Sequence, residues 1–189
     1  SPEALGDALR AAVAANRDGI RRRVASADGL QQGADEATTA AHFVRVLYNS
    51  MRGGTFDGTY DLPVDDVAAF LRVQSRSVFA RHAEWLEGLP ASLDLRALLE
   101  AASERGDLQL DRLLRTYLPL TFSRRHGDPS RPWNRFNIRL KDAQGRPLYA
   151  YEGNWRDIFQ NWEALGESYP DFLGQFISVF LDASTADGY

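Results

Sequence analysis

The sequence predicts a mainly α fold: helical hairpins forming part of an (α/α) toroid-like domain, with one inserted β-hairpin. Three observations predict it. Apolar residues recur at helical spacing through the first 118 residues, in runs joined by short links. The spacing switches to alternation over 135–141 and 147–151, on either side of the turn Asp142-Ala143-Gln144-Gly145. Helical spacing then returns at about 155. Periodicity alone fits an irregular bundle as well as a toroid.

The elements follow in order. Residues 3–25 read as a helix, with Ala4, Leu5, Ala8, Leu9, Ala12 and Val13 on one face and Arg21, Arg22 and Arg23 at its negative end. A second helix covers 35–51, with Phe43, Val44, Leu47 and Met51 in register, and Gly53-Gly54 ends it. The stretch from Gly53 to Asp61 reads as a loop. Pro63 with Asp65-Asp66 opens a third helix running to about Leu86, because Pro and acids suit a first turn. Helices over 94–104 and 107–118 are divided at Gly106. The character changes at Pro119, where a loop rich in arginine and proline leads into the hairpin. Helices at about 155–167 and 170–182 close the pattern, separated by Tyr169-Pro170. The organisation is one helical region over 1–189. It comprises a helix bundle (1–118), a basic loop with the β-hairpin (119–151) and a helix pair (152–189).

Bulk properties exclude several function classes. Hydrophobic content of 44% and charge of 25% are ordinary for a globular protein. The chain has no cysteine, which removes disulfides, thiolate metal sites and cysteine nucleophiles. His42, His82 and His126 lie far apart, and the acids of the 53–61 loop lack calcium-loop spacing, so no metal is expected. No apolar run is long enough for a bilayer and no signal peptide is visible, so no membrane partner and a cytoplasmic location are expected. Of 22 basic residues only Lys141 is lysine, the mark of a GC-rich, bacterial coding sequence. Net charge is −4, yet residues 124–146 carry seven cations against two acids. Such a loop suits phosphate or an acidic neighbour, or is simply solvated; the acidic balance of the whole chain argues against nucleic acid. The absence of an initiator Met and the turn residues Asp187-Gly188-Tyr189 at the end suggest a portion of a larger chain.

The densest chemistry lies in 151–169, where Tyr151, Trp155, Phe159, Trp162 and Tyr169 alternate with Glu152, Asn154, Arg156, Asp157 and Gln160. Aromatic faces beside fixed polar groups suit a sugar, whose C–H faces stack and whose hydroxyls need donors and acceptors. Arg156-Asp157-x-x-Gln160, followed by Ala164-Leu165, resembles the Arg-Asp-Gln-x-Gln-Asp segment of cellobiose-phosphorylase-like enzymes. These belong to the wider group of six-hairpin, (α/α)6-barrel glycosidases. Ile158 and Asn161 depart from that pattern. The resemblance implies that the segment opens a barrel helix, and that Arg156 and Asp157 hold the sugar on the non-reducing side of the scissile bond, with Gln160 beside them. It further implies hydrolysis or phosphorolysis of an oligosaccharide or disaccharide. Inorganic phosphate is then a co-substrate in the second case, no other cofactor is implied, and the remaining domains of the parent chain are partners. Trp155 and Asn154 complete the expected substrate-binding set. Glu152 is a lesser candidate for an acid or base, because the family's proton donor comes from a later segment.

Each of these residues has a plainer reading. Asn154 is a good N-cap and Asp157, three residues on, can reach back to it. Arg156 and Gln160 form an i,i+4 pair. Trp155, Phe159 and Trp162 repeat at three and four residues, as a core stripe does. If the aromatics of 151–169 were buried with no cleft beside them, the chain would read instead as a non-catalytic helical interaction or scaffolding module.

Overall fold

The computed structural model describes residues 2–27, 35–56, 58–121, 143–144 and 155–187, with only the backbone of 121, 155–158 and 161. The expected hairpin over 135–151 and the basic loop fall almost entirely outside these residues, as do Glu152 and Asn154.

The chain is mainly helical. Helix α1 spans Pro2–Ser26 and α2 spans Glu36–Gly53. Asp35 caps α2 by accepting from Ala37 N at 3.0 Å. Strand β1 (Thr55–Phe56) leads through a tight turn to β2 (Asp61–Pro63), then α3 (Val64–Gln74) and α4 (Arg76–Glu87). Strand β3 (Ser92–Asp94), α5 (Leu95–Glu104), α6 (Leu108–Leu114) and β4 (Leu120–Thr121) follow. Beyond them lie α7 (Trp155–Ser168), a 3-10 turn at Pro170–Phe172 and α8 (Leu173–Asp182).

Two short antiparallel pairs organise the middle of the molecule. β1 pairs with β4, Thr55 opposite Thr121 and Phe56 opposite Leu120. β2 pairs with β3, with Leu62 opposite Leu93. These strands occupy positions read from sequence as loop, linker and helix start. At two or three residues they are too short to show alternation, so the sequence carries no strand signal there. The turn between β1 and β2 needs glycine at 58. Its φ is +74°, and a Cβ there would meet the carbonyl oxygen of Asp61 at 2.5 Å.

The single helix expected from Pro63 to Leu86 is two helices. Ser75 takes an extended conformation between them. Its N–H closes α3 on Leu71 O at 2.8 Å, and its Oγ caps α4 by accepting from Val78 N at 3.4 Å. Apolar spacing continues across the break because both helices face one core, through Phe70 and Leu71 on one side and Val78 and Leu86 on the other. Arg72 lies 4.6 Å from the centre of the Phe79 ring, bridging the corner. The helix expected over 107–118 ends at Leu114, after which Tyr117 drops into the core.

The core is continuous but has two neighbourhoods. One lies among α3 to α6, with Val67, Leu71, Leu98, Leu110 and Leu114 fully buried. The other is aromatic and joins β1 to the C-terminal helices. Phe56 stacks on Phe172 at 4.1 Å and meets Tyr169 edge-on at 4.9 Å. Trp162 stacks on Phe176 at 5.1 Å. Exposed ion pairs mark the same junctions: Arg45–Glu167 between α2 and α7, Arg96–Asp171 from α5 to the 3-10 turn, and Arg112–Asp182 between α6 and α8. Being exposed, they guide orientation more than they add stability. Helix α1 departs from expectation. Its predicted apolar stripe lies on the surface, and Val24 is its one buried residue.

Candidate functional site

Helix α7 starts at Trp155, so Trp155, Arg156 and Asp157 occupy its first turn, as expected. Beyond that turn the motif divides. Trp162 is buried and Phe159 packs against the core, 5.6 Å from Trp162 and 4.9 Å from Phe180. These two aromatics are core, as the plainer reading holds. Gln160, Glu163 and Glu167 face solvent. Ser168 is buried, accepting from Asn49 Nδ2 at 3.1 Å across the α2–α7 contact. The side chains of Trp155, Arg156 and Asp157 lie outside what the structure describes.

A second polar cluster forms where α4 meets the α5–α6 turn. Gly106, at φ +67°, reverses the chain after α5 and delivers Asp107 to the start of α6. Asp107 Oδ1 accepts from the backbone N–H groups of Gln109 (2.9 Å) and Leu110 (3.4 Å), capping the helix. Its Oδ2 accepts from Arg81 Nε at 3.1 Å and Nη2 at 2.8 Å, and meets His82 Nε2 at 2.9 Å. One carboxylate thus holds α4 and α6 together.

Charge and burial are unevenly shared in the cluster. His82 is buried while Arg81 is about half exposed. The contact with Asp107 selects the Nε2–H tautomer of His82, whose Nδ1 has no partner among the described residues. The hydrogen bond from His82, then that from Arg81, holds the Asp107 carboxyl well below the usual carboxylate range; the Gln109 and Leu110 amides add to this and desolvation opposes it. Around this hub an open depression of about 670 Å³ is lined by Arg81, His82, Arg105, Leu108 and Gln109 as well as Asp107. Sequence reading missed it. His82 and Asp107 are 25 positions apart, and only Asp107, an acid just after a glycine, carried a local signal, that of an N-cap.

A folded-state pKa below the unfolded value adds stability that is complete above the unfolded pKa and is lost as pH falls through the folded one. Asp107→Asn keeps a capping oxygen but gives up the charge. It is expected to melt below the parent chain at neutral pH, with the gap narrowing below about pH 4, where the unfolded carboxyl takes up its proton. Melting curves at pH 7, 5 and 3 check this. A gap that stays constant down to pH 3 would assign the loss to shape rather than charge.

Among the described residues no group of three or more His, Asp or Glu side chains is placed to hold a metal. No helix among them is long and apolar enough to cross a membrane.

Residues 56–119 match the family model for glycoside hydrolase family 149 insertion domain 1. The match covers roughly a third of the chain and supports a portion of a glycoside hydrolase. No curated protein matches the chain. The matched segment corresponds to a structural unit. It runs from Phe56 in β1 to the residue before β4, and the β1–β4 pairing brings its two ends side by side. That is the geometry an inserted domain needs in order to leave and rejoin a host fold. The Arg81–His82–Asp107 cluster lies wholly inside it.

Proposed function

We propose that this chain is a portion of a larger carbohydrate-active enzyme that cleaves a glycosidic bond by hydrolysis or phosphorolysis. The observation that carries the reading is the match of 56–119 to a glycoside hydrolase insertion domain. In this reading α1, α2, α7 and α8 belong to the host body, a six-hairpin toroid, and the matched segment is inserted between α2 and α7.

Two further features support it. The first is the resemblance of Arg156-Asp157 and Gln160 to the sugar-holding segment of cellobiose-phosphorylase-like enzymes. The second is how apolar surface is distributed. Leu5, Leu9 and Val13 on α1, Val44 and Tyr48 on α2, and Leu173, Ile177, Phe180 and Leu181 on α8 are all exposed. Within the matched segment, only Val73 and Leu108 are exposed large apolar residues among those described. An inserted unit with little exposed apolar surface, beside helices that leave apolar residues uncovered, suits a body whose further helices cover those faces.

The proposed sugar subsite comprises Trp155, Arg156, Asp157 and Gln160, with Asn154 at the helix start and Glu152 as a secondary acid–base candidate. Glycoside cleavage uses carboxyl pairs ~5–5.5 Å apart for retention or ~6.5–9.5 Å for inversion. The second carboxyl is expected from elsewhere in the parent chain. Phosphate enters as a co-substrate if the bond is phosphorolysed.

The test is a turnover assay of the full-length protein on β- and α-linked glucan oligosaccharides, with and without inorganic phosphate. Release of free sugar, or of sugar 1-phosphate, is expected from the parent and not from the 189-residue chain. Turnover by the chain alone would overturn the division of labour. A parent inert on every oligosaccharide would favour the scaffolding reading.

A further inference from the structure

The depression between α4 and the α5–α6 turn offers donors and almost no free acceptors. Both oxygens of Asp107 are occupied, Oδ1 by two backbone amides and Oδ2 by Arg81 and His82. Gln109 Oε1 accepts from Arg81 Nη2 at 3.1 Å, leaving its Nε2 group as a donor. Arg81 uses Nε and Nη2 in these contacts, and its Nη1 makes no hydrogen bond among the described residues. Arg105 lines the same depression and is exposed. Its backbone N–H closes α5 on Ala102 and Ser103, and no carboxylate engages its side chain among the described residues. Two guanidinium groups stand against one carboxylate, a net positive site. Leu108, 85% exposed, supplies an apolar edge.

We propose that this depression, formed by Arg81, Arg105 and Gln109 around the Asp107–His82 hub, is a binding site for a small oxyanion such as a phosphate or carboxylate group. The chemistry follows from the lining. A neutral sugar needs acceptors for its hydroxyl protons, and the side-chain oxygens of Asp107 and Gln109 are already engaged while the unpartnered His82 Nδ1 is buried; an oxyanion needs donors and positive charge alone. Arg81 is the fixed element, since Asp107 and Gln109 hold its fork in place before any ligand arrives. Arg105, exposed at the rim, supplies the second guanidinium to the anion. The Asp107–His82 hub is a positioning element and does not touch the ligand. This inference stands on the geometry of the 56–119 segment and does not depend on the proposed glycosidic activity.

The experiment is a titration of the chain with sodium phosphate and, separately, sodium glucuronate, followed by NMR at constant ionic strength set with chloride. Saturable shifts of the Arg81, Arg105 and Gln109 side-chain N–H signals are expected. Arg105→Glu should weaken binding about tenfold or more, the scale of losing one charged hydrogen bond. This variant leaves the Asp107 hub intact, so folding is not at risk. Arg76→Glu changes net charge equally on an exposed residue that does not line the site. It should leave binding unchanged. Saturation by glucuronate but not phosphate would support the site and assign it to a carboxylate ligand. Shifts no greater than chloride produces, or equal weakening by both variants, would overturn the proposal and leave diffuse electrostatic attraction.

Discussion

Trp162→Ala is expected to cost about 3–5 kcal/mol of stability, the range for removing a large aromatic side chain from a packed core. Trp162 is 1% exposed, stacks on Phe176 and meets Phe159 edge-on, so the cavity would open at the α7–α8 contact with rigid neighbours on two sides. For a chain of this size each kcal/mol moves Tm by ~2–4 °C, so a fall of roughly 6–20 °C is expected. Gln160→Ala, two positions away on the exposed face, should stay within about 0.5 kcal/mol of the parent. Thermal and urea melts of both variants check the pair. An unchanged melt for Trp162→Ala, with loss of saccharide binding, would return Trp162 to the role of a stacking platform.

Asp157→Asn, made in the full-length protein, is expected to lower kcat/KM about ten- to a hundredfold. A charged hydrogen bond to substrate is worth roughly 1.5–3 kcal/mol, and each 1.4 kcal/mol is a factor of ten. The replacement preserves shape, and asparagine caps a helix as well as aspartate does. If Asp157 serves only the helix start, kinetics will hold steady and Tm will shift slightly. If it holds a sugar whose charge develops during cleavage, turnover efficiency will drop with little change in melting. Measuring both quantities on one variant separates the two roles, and an unchanged kcat/KM would remove Asp157 from the proposed subsite.

Helices were legible from sequence where an apolar stripe met a capping signal. Pro63 with Asp65-Asp66 at the start of α3, Gly106 before α6 and Tyr169-Pro170 after α7 all mark real boundaries. Ser75 was not legible. Its cap sits inside an unbroken apolar rhythm, because α3 and α4 turn about a corner yet feed the same core. The exposure of Leu5, Leu9 and Val13 was equally hidden, since a stripe reports that a face is apolar and not what covers it. For the site, the sequence found the crowding of aromatics in α7 and could not sort Trp162 and Phe159 from the exposed Gln160 without the packing. The Arg81–His82–Asp107 cluster depends on a contact between distant segments. No local pattern encodes such a contact.

The pairing of Thr55 with Thr121 and of Phe56 with Leu120 has a consequence for how such a chain tolerates change. Neighbouring strands lie ~4.8 Å apart, so the two connections to the 56–119 segment enter and leave through a gap that a two-residue turn can bridge. Growth, replacement or deletion between these strands leaves the rest of the chain in register. What such a change puts at stake is the segment's contact with the C-terminal elements: the Phe56 ring against Phe172 and Tyr169, the Tyr60 ring on Phe172, and the Arg96–Asp171 and Arg112–Asp182 pairs. A shortened chain that keeps Phe56 and Leu120 across a tight turn would retain the Phe56 contacts, making the stem a natural cut-and-join point for recombining this body with other appended modules.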